Sequence, residues 1–153
     1  MGPCVQLLQS SQEAVQRHAL SILEHVAAGA DGQAAIGEAG GVLSLVRLAC
    51  SRDAAVVPAA TGILCCLSER AGELPSLIAS GAARPLVGWL GDADVSRQAR
   101  AVAAVRRLSG AQHGTGRSTQ HGQVAVVEAG GIAPLVRLLR GGGGGAQAEA
   151  MHA

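Results

Sequence analysis

The sequence predicts an all-α fold of the α-solenoid type, and three observations point there. A segment of chain returns along the sequence: Glu38-Ala-Gly-Gly-Val-Leu-Ser-Leu-Val-Arg-Leu48 reappears as Glu128-Ala-Gly-Gly-Ile-Ala-Pro-Leu-Val-Arg-Leu138, with eight of eleven positions identical. Long stripes of apolar residues at helical spacing run between the copies. No alternating apolar and polar run of strand length competes with them. Units that cannot bury an apolar face alone must stack on their neighbours, and such a stack is a solenoid.

A weaker copy, Ala79-Ser-Gly-Ala-Ala-Arg-Pro-Leu-Val-Gly-Trp89, lies between the two strong ones, and a partial copy, Pro3-Cys-Val-Gln-Leu-Leu8, opens the chain. Anchored on Cys4, Leu45, Leu86 and Leu135, the copies are spaced by 41, 41 and 49 residues. The eight-residue excess matches the polar stretch Gly110 to Gly122, which has the composition of a loop insertion. Residues 1–140 therefore divide into units of about 1–30, 31–70 and 71–110 and an incomplete 121–140, followed by a Gly-rich flexible tail, 141–153.

Each full unit reads as a short, a middle and a long helix; in the second copy these run about Gln33 to Ala39, Val42 to Cys50 and Ala54 to Ser68. The long helices carry the clearest stripes. Val15, Ala19, Ile22, Leu23 and Val26 form the first, with Ser10 and Glu13 as a candidate capping box. Val56, Ala60, Ile63, Leu64 and Leu67 repeat it 41 residues later. Ala101, Val105 and Leu108 form the third, behind Asp94 as the predicted N-cap. Gly40-Gly41, Gly81 and Gly130-Gly131 stand where a short helix must stop and the next turn away, and Pro85 and Pro134 fall in the opening turn that follows. Pro58 is expected to bend the second long helix in its second turn.

Composition narrows the function. Twelve Lys+Arg against eleven Asp+Glu leave a formal charge of +1, which disfavours nucleic acid or an anionic membrane as the electrostatic partner. All twelve cations are Arg, there is no Asn, Phe or Tyr, and the thirty Ala and twenty-two Gly make small-residue packing the rule. The 37 Leu, Val and Ile suffice for a buried core, and no apolar run has the length of a membrane span. Cys4, Cys50, Cys65 and Cys66 have neither zinc-site spacing nor the density of a disulfide scaffold, which points to a reducing intracellular compartment, cytoplasm or nucleus. Met1-Gly2-Pro3-Cys4-Val5-Gln6 has no basic, apolar signal-peptide pattern, and Gln6 stands where a myristoylation motif places Ser or Thr.

Nothing argues catalysis. Ala111-Gln-His-Gly-Thr-Gly-Arg-Ser118 approaches the phosphate-loop pattern but replaces its first Gly and its Lys and follows a helix instead of a strand. His113 and His121 lack a third ligand. Cys66 has no Cys-His-Asn arrangement in a chain without Asn. No enzyme activity, metal or cofactor is expected. One long helix is different in charge: Arg97, Arg100, Arg106 and Arg107 place four cations within eleven residues, and Arg100 and Arg107 share a face. Guanidinium groups there could hold carboxylates bidentately, whereas pairing with Asp92 and Asp94 would leave an ordinary solvated helix face.

The phrase EAGG-I-x-P-L-V-R-L-L, with long helices closing in L-C-C-L-S or V-R-R-L-S, resembles the armadillo repeat over about Pro3 to Arg140. That resemblance implies a three-helix unit stacking into a right-handed superhelix. It also implies that the long third helices line a groove that binds extended segments of other proteins. Peptide-gripping members carry an Asn near the end of this helix, and nuclear-import receptors a Trp four residues earlier. The matching positions here are His25, Cys66 and Arg107 for Asn, and Ser21, Gly62 and Ala103 for Trp, so neither array is present. The expected groove residues are Arg17, Ser21, His25, Gly62, Cys66, Arg100, Ala103 and Arg107.

The function expected is a non-enzymatic interaction scaffold or adaptor with a protein partner, an acidic segment being favoured by the arginines. A substrate-recruiting array of a larger ubiquitin-ligase-type protein is the alternative. Nucleic-acid binding by a helical repeat ranks last, because base-stacking aromatics and a positive surplus are missing. Cys4, Val5, Leu7 and Leu8 at one end, and Leu135, Val136, Leu138 and Leu139 at the other, are expected to lack covering helices. They predict end-on self-association or continuation of a longer array.

Overall fold

The computed structural model describes residues 2–110 and 117–141; the phosphate-loop look-alike around His113 and the tail beyond Gly141 lie outside the described residues. Every regular element among the described residues is helical. The chain forms two compact units, Met1–Ser80 and Gly81–Ala153.

The first unit contains α1 (Gly2–Leu7), α2 (Glu13–Ala27), α3 (Ala30–Glu38), α4 (Gly41–Ala49), α5 (Val57–Leu67), a 3₁₀ turn at Ala71–Glu73 and α6 (Leu74–Ala79). Its core takes Ala19 and Leu23 from the first predicted stripe and Ala60, Ile63, Leu64 and Leu67 from the second, joined by Leu20, Ile36 and Leu45, all at most 1% exposed. The first stripe is corrected in part: α2 buries Leu20 and Ala27 instead of Ile22, which is 50% exposed, and Val15 and Val26 are only half-buried. Helices α4 and α5 pack together, and α2 packs on α5. Arg70, after α5, donates from Nη1 to the Ala30 carbonyl at the start of α3, 2.9 Å away. Buried Gln33 donates from Nε2 to the Ala27 carbonyl at 2.9 Å, filling one of the acceptors that the end of α2 leaves open.

The second unit contains α7 (Ala83–Gly88), a 3₁₀ turn at Trp89–Gly91, α8 (Val95–Leu108), α9 (Arg117–Glu128) and α10 (Ile132–Gly141). Ala101, Val102, Ala104 and Val105 of α8 are fully buried. Asp94 caps α8 as expected, its carboxylate accepting from the backbone N–H of Ser96 at 2.9 Å and of Arg97 at 3.3 Å.

The doubled glycine of the recurring phrase has two separate causes. The first of each pair takes the left-handed conformation, φ 69° at Gly40 and 79° at Gly130, which ends the short helix. The second is held by close packing. A Cβ on Gly41 would lie 2.9 Å from Ile36 Cγ2, and one on Gly131 would lie 2.8 Å from Val126 Cγ1, five residues back in each case.

A second recurring device is a glutamine. Gln16 Nε2 donates to the carbonyls of Ser10 (2.6 Å) and Leu8 (3.4 Å), and Gln98 Nε2 donates to those of Leu90 (3.0 Å) and Asp92 (3.5 Å). These are the same contacts one double period apart. Each staples the linker before a long helix to that helix.

Four further expectations are corrected. Pro58 bends nothing, because α5 starts at Val57 and the proline sits in its first turn, where no intrahelical N–H is needed. Ser10 does not complete a capping box: α2 starts at Glu13 behind Gln12, and the Ser10 hydroxyl accepts instead from the Gln12 N–H at 3.2 Å. The span 110–122 is not wholly a loop, since α9 begins at Arg117. Gly122 is buried one turn before buried Val126, so it is a packing residue of that helix. Finally, the apolar residues of the two ends are mostly covered within their own units. Val5 and Leu8 are 4% and 0% exposed, and Leu135 and Leu138 are 9% and 6%, whereas Leu7 and Val136 stay open at 44% and 38%.

Candidate functional site

The residues expected to meet a partner sit on three long helices. On α2, Arg17, Ser21 and His25 follow one another at four-residue spacing, share a face and are all exposed. The sequence permits this face because α2 buries Ala19, Leu20, Leu23 and Ala27 on the opposite side. His25 is held in place by its own helix, with Nδ1 2.8 Å from the Ser21 carbonyl oxygen. His18, one helical double turn earlier, makes the same contact with Ala14 at 2.9 Å. In both rings the nitrogen facing the carbonyl oxygen is the donor.

Helix α5, packed on α2 in the same unit, contributes Cys66, which is half-buried, and Gly62, which is buried. Gly62 is enclosed because α5 is the most apolar of the long helices and is covered on nearly all sides, with only Cys66 of its last two turns reaching partial exposure. Cys65, beside it, is buried.

Helix α8, in the second unit, carries Arg100, Ala103 and Arg107 on one face; Arg100 is exposed and the other two are half-buried. The four arginines of this helix separate into different roles. Arg97 is held by its own unit, Nη1 lying 3.7 Å from Asp92 Oδ2 and Nε 3.7 Å from Asp94 Oδ2. Its guanidinium carbon also stands 5.8 Å from the centre of the Trp89 ring. Those two acids are thus drawn to the start of α8, toward Arg97. The Arg97–Trp89 contact was not read from the sequence; the eight-residue separation of the two gives no periodic signal.

Among the described residues no three His, Cys, Asp or Glu side chains come together in a way that could hold a metal ion. No single described helix is long and apolar enough to cross a membrane. A cleft of about 310 Å³ lies against α1 and α2, lined by Leu7, Ala14, Val15, His18, Ala19 and Ile22.

Comparison with known proteins places this architecture. Computationally designed armadillo repeat proteins for modular peptide recognition align over 99% of this chain and 61% of theirs, with a TM-score of 0.79 and 27% identity. A designed armadillo repeat protein in complex with the peptide (KR)4 aligns over the same shares at a TM-score of 0.76 and 27% identity. An engineered protein aligns over 99% of this chain and 59% of its own at a TM-score of 0.74 and 29% identity. The chain thus has an armadillo-repeat-like, all-α solenoid fold, and it spans less than two thirds of the length of these structures. No protein-family model and no curated protein matches it.

Proposed function

We propose that the chain is a non-catalytic binding scaffold that holds an extended, acidic segment of a protein partner against its long third helices. The observation that carries this reading is the face of α8 where Arg100 and Arg107 flank the small Ala103. A small residue between two guanidinium groups leaves room for a backbone to lie between forks that match carboxylates. Within the first unit, Arg17, Ser21 and His25 of α2 and the half-buried Cys66 of α5 offer polar side chains of their own. A structural neighbour, a designed armadillo protein, carries the basic peptide (KR)4, so the scaffold type accommodates an extended charged peptide.

The test is fluorescence anisotropy with a labelled peptide of alternating Asp and Glu, and with (KR)4 as the control. The native chain is expected to bind the acidic peptide and ignore the basic one. Arg100→Glu with Arg107→Glu is expected to weaken acidic-peptide binding at least tenfold, about 1.4 kcal/mol. Equal binding by both proteins, or a preference for (KR)4, overturns the reading.

A further inference from the structure

One valine of the middle helix returns in every copy: Val5, Val46, Val87 and Val136 are spaced by 41, 41 and 49 residues. The first three are 4%, 8% and 6% exposed, whereas Val136 is 38% exposed. Each of the first three lies on a middle helix that packs on the long helix after it, α1 on α2, α4 on α5 and α7 on α8. Ile132, one turn before Val136, repeats the contrast: it is 54% exposed, and its counterparts Val42 and Ala83 are each 3% exposed. The chain carries a segment that matches the long helix at this place. Beyond Gly142 to Gly145, which stand where the other copies have a linker, Gln147 and Ala150 follow Gln98 and Ala101 by 49 residues, the same step that leads from Val87 to Val136. Gln16-Arg-His-Ala19, Gln98-Ala-Arg-Ala101 and Gln147-Ala-Glu-Ala150 are thus one motif at one register; the second copy keeps the alanine as Ala60 and has Val57 in place of the glutamine. The alanine is buried each time, 1% exposed at Ala19 and 0% at Ala60 and Ala101. So is the residue after it, Leu20, Thr61 or Val102, and Met151 holds that next place. Gln16 and Gln98 staple two linker carbonyls each. At the same step the carbonyls for Gln147 are those of Leu139 and Gly141, in the last turn of α10, where a helix leaves its final carbonyls without intrahelical donors.

We propose that residues 146–153 dock on α10 as the opening turns of a fourth long helix, Ala150 and Met151 covering Ile132 and Val136, and Gln147 donating to the Leu139 and Gly141 carbonyls. The segment is composed of Ala, Gln, Glu, Met and His, the first four of them strong helix formers. A helix much shorter than about 12 residues does not hold by itself in water, so the apolar face of α10 supplies the stability that the segment lacks. In the same register Glu149 matches Arg100 and His152 matches Ala103. Docking therefore continues the face of α8 that carries Arg100, Ala103 and Arg107 onto a further long helix of the second unit. The docking does not depend on the reading given for that face.

The test is nuclear magnetic resonance of the full chain with labelled Ala, Ile, Met and Val methyl groups. Nuclear Overhauser contacts are expected from the methyls of Ala150 and Met151 to those of Ile132 and Val136, together with helical carbon shifts over residues 147–151. Ala150→Glu with Met151→Glu places charges where the other copies bury small or apolar side chains, and is expected to abolish the contacts and lower the docked-to-undocked ratio by about tenfold or more. Gln147→Ala removes the staple alone and is expected to lower that ratio about fivefold. Glu149→Gln, at the register of the exposed His18 and Arg100, is expected to leave it unchanged. Absence of the contacts in the native chain, or their survival in the double variant, overturns the proposal. So does a contact seen only between labelled and unlabelled chains in a mixture, which would make the occupant a second copy.

Discussion

Gly32, in the first turns of α3, rests on the last turn of α2: a Cβ placed on it would collide with the Val26 carbonyl oxygen and lie 2.6 Å from Val26 Cγ1. The obstacle is backbone, which cannot swing aside, so Gly32→Ala must separate the two helices. It is expected to destabilise the protein by about 1–3 kcal/mol, the usual range for overpacking, despite the better helix propensity of Ala. Thermal unfolding followed at 222 nm reads it; an unchanged midpoint would show that the α2–α3 corner yields easily.

Gly37, in the same helix, makes the contrasting case. There the Cβ would meet the carboxylate of Glu73, the far end of a flexible side chain in the 3₁₀ turn. The side chain can rotate away, and Ala gains up to about 1 kcal/mol in a helix interior. Gly37→Ala is expected to leave the midpoint unchanged or raise it, in the same experiment.

The glutamine staples predict matched losses. Gln16→Ala and Gln98→Ala each remove a donor shared by two linker carbonyls, and each is expected to cost about 1 kcal/mol. Because each staple closes only local chain, the double variant is expected to show the sum of the two. Denaturant melts of the two single variants and the double variant test this, and a double loss well above the sum would show the two staples to be coupled.

Thr61 is fully buried on α5, and its Oγ1 has no hydrogen-bond partner. Replacing the hydroxyl by a methyl removes an unpaired polar atom at nearly constant volume. Thr61→Val is expected to stabilise the chain by up to about 1 kcal/mol. A loss of stability would mean that the hydroxyl is paired in solution.

Asp94 has two roles at the start of α8, as cap and as partner of Arg97. Asp94→Ala is expected to cost about 1 kcal/mol from the cap alone. Asp94→Asn keeps the capping oxygen and removes the charge, so it should recover most of that loss. Equal losses in both would assign the effect to the ion pair.

The helical character of the chain and the stops between helices were legible in the chain itself, because periodicity of apolar residues and the positions of Gly and Pro act locally. Asp94 and Gly40 are of this kind: cap and stop work within four residues, and the sequence shows both partners at once. On α2 the stripe was legible only in part, since Ala19 and Leu23 are buried as expected while Leu20 and Ala27 complete the buried face in place of Ile22. What needed the tertiary structure was every property set by a neighbour distant in sequence. Gly62 matches Ser21 and Ala103 by repeat position, yet only the packing of α5 made it buried. Pro58 read as a bend and Gly122 as the end of a loop until the folded chain showed one in a first turn and the other buried in a helix. Leu7 and Ile22 carry the same pattern as Leu48 and Ile63; whether such a row is covered depends on which helix lies across it, and no local rule contains that fact.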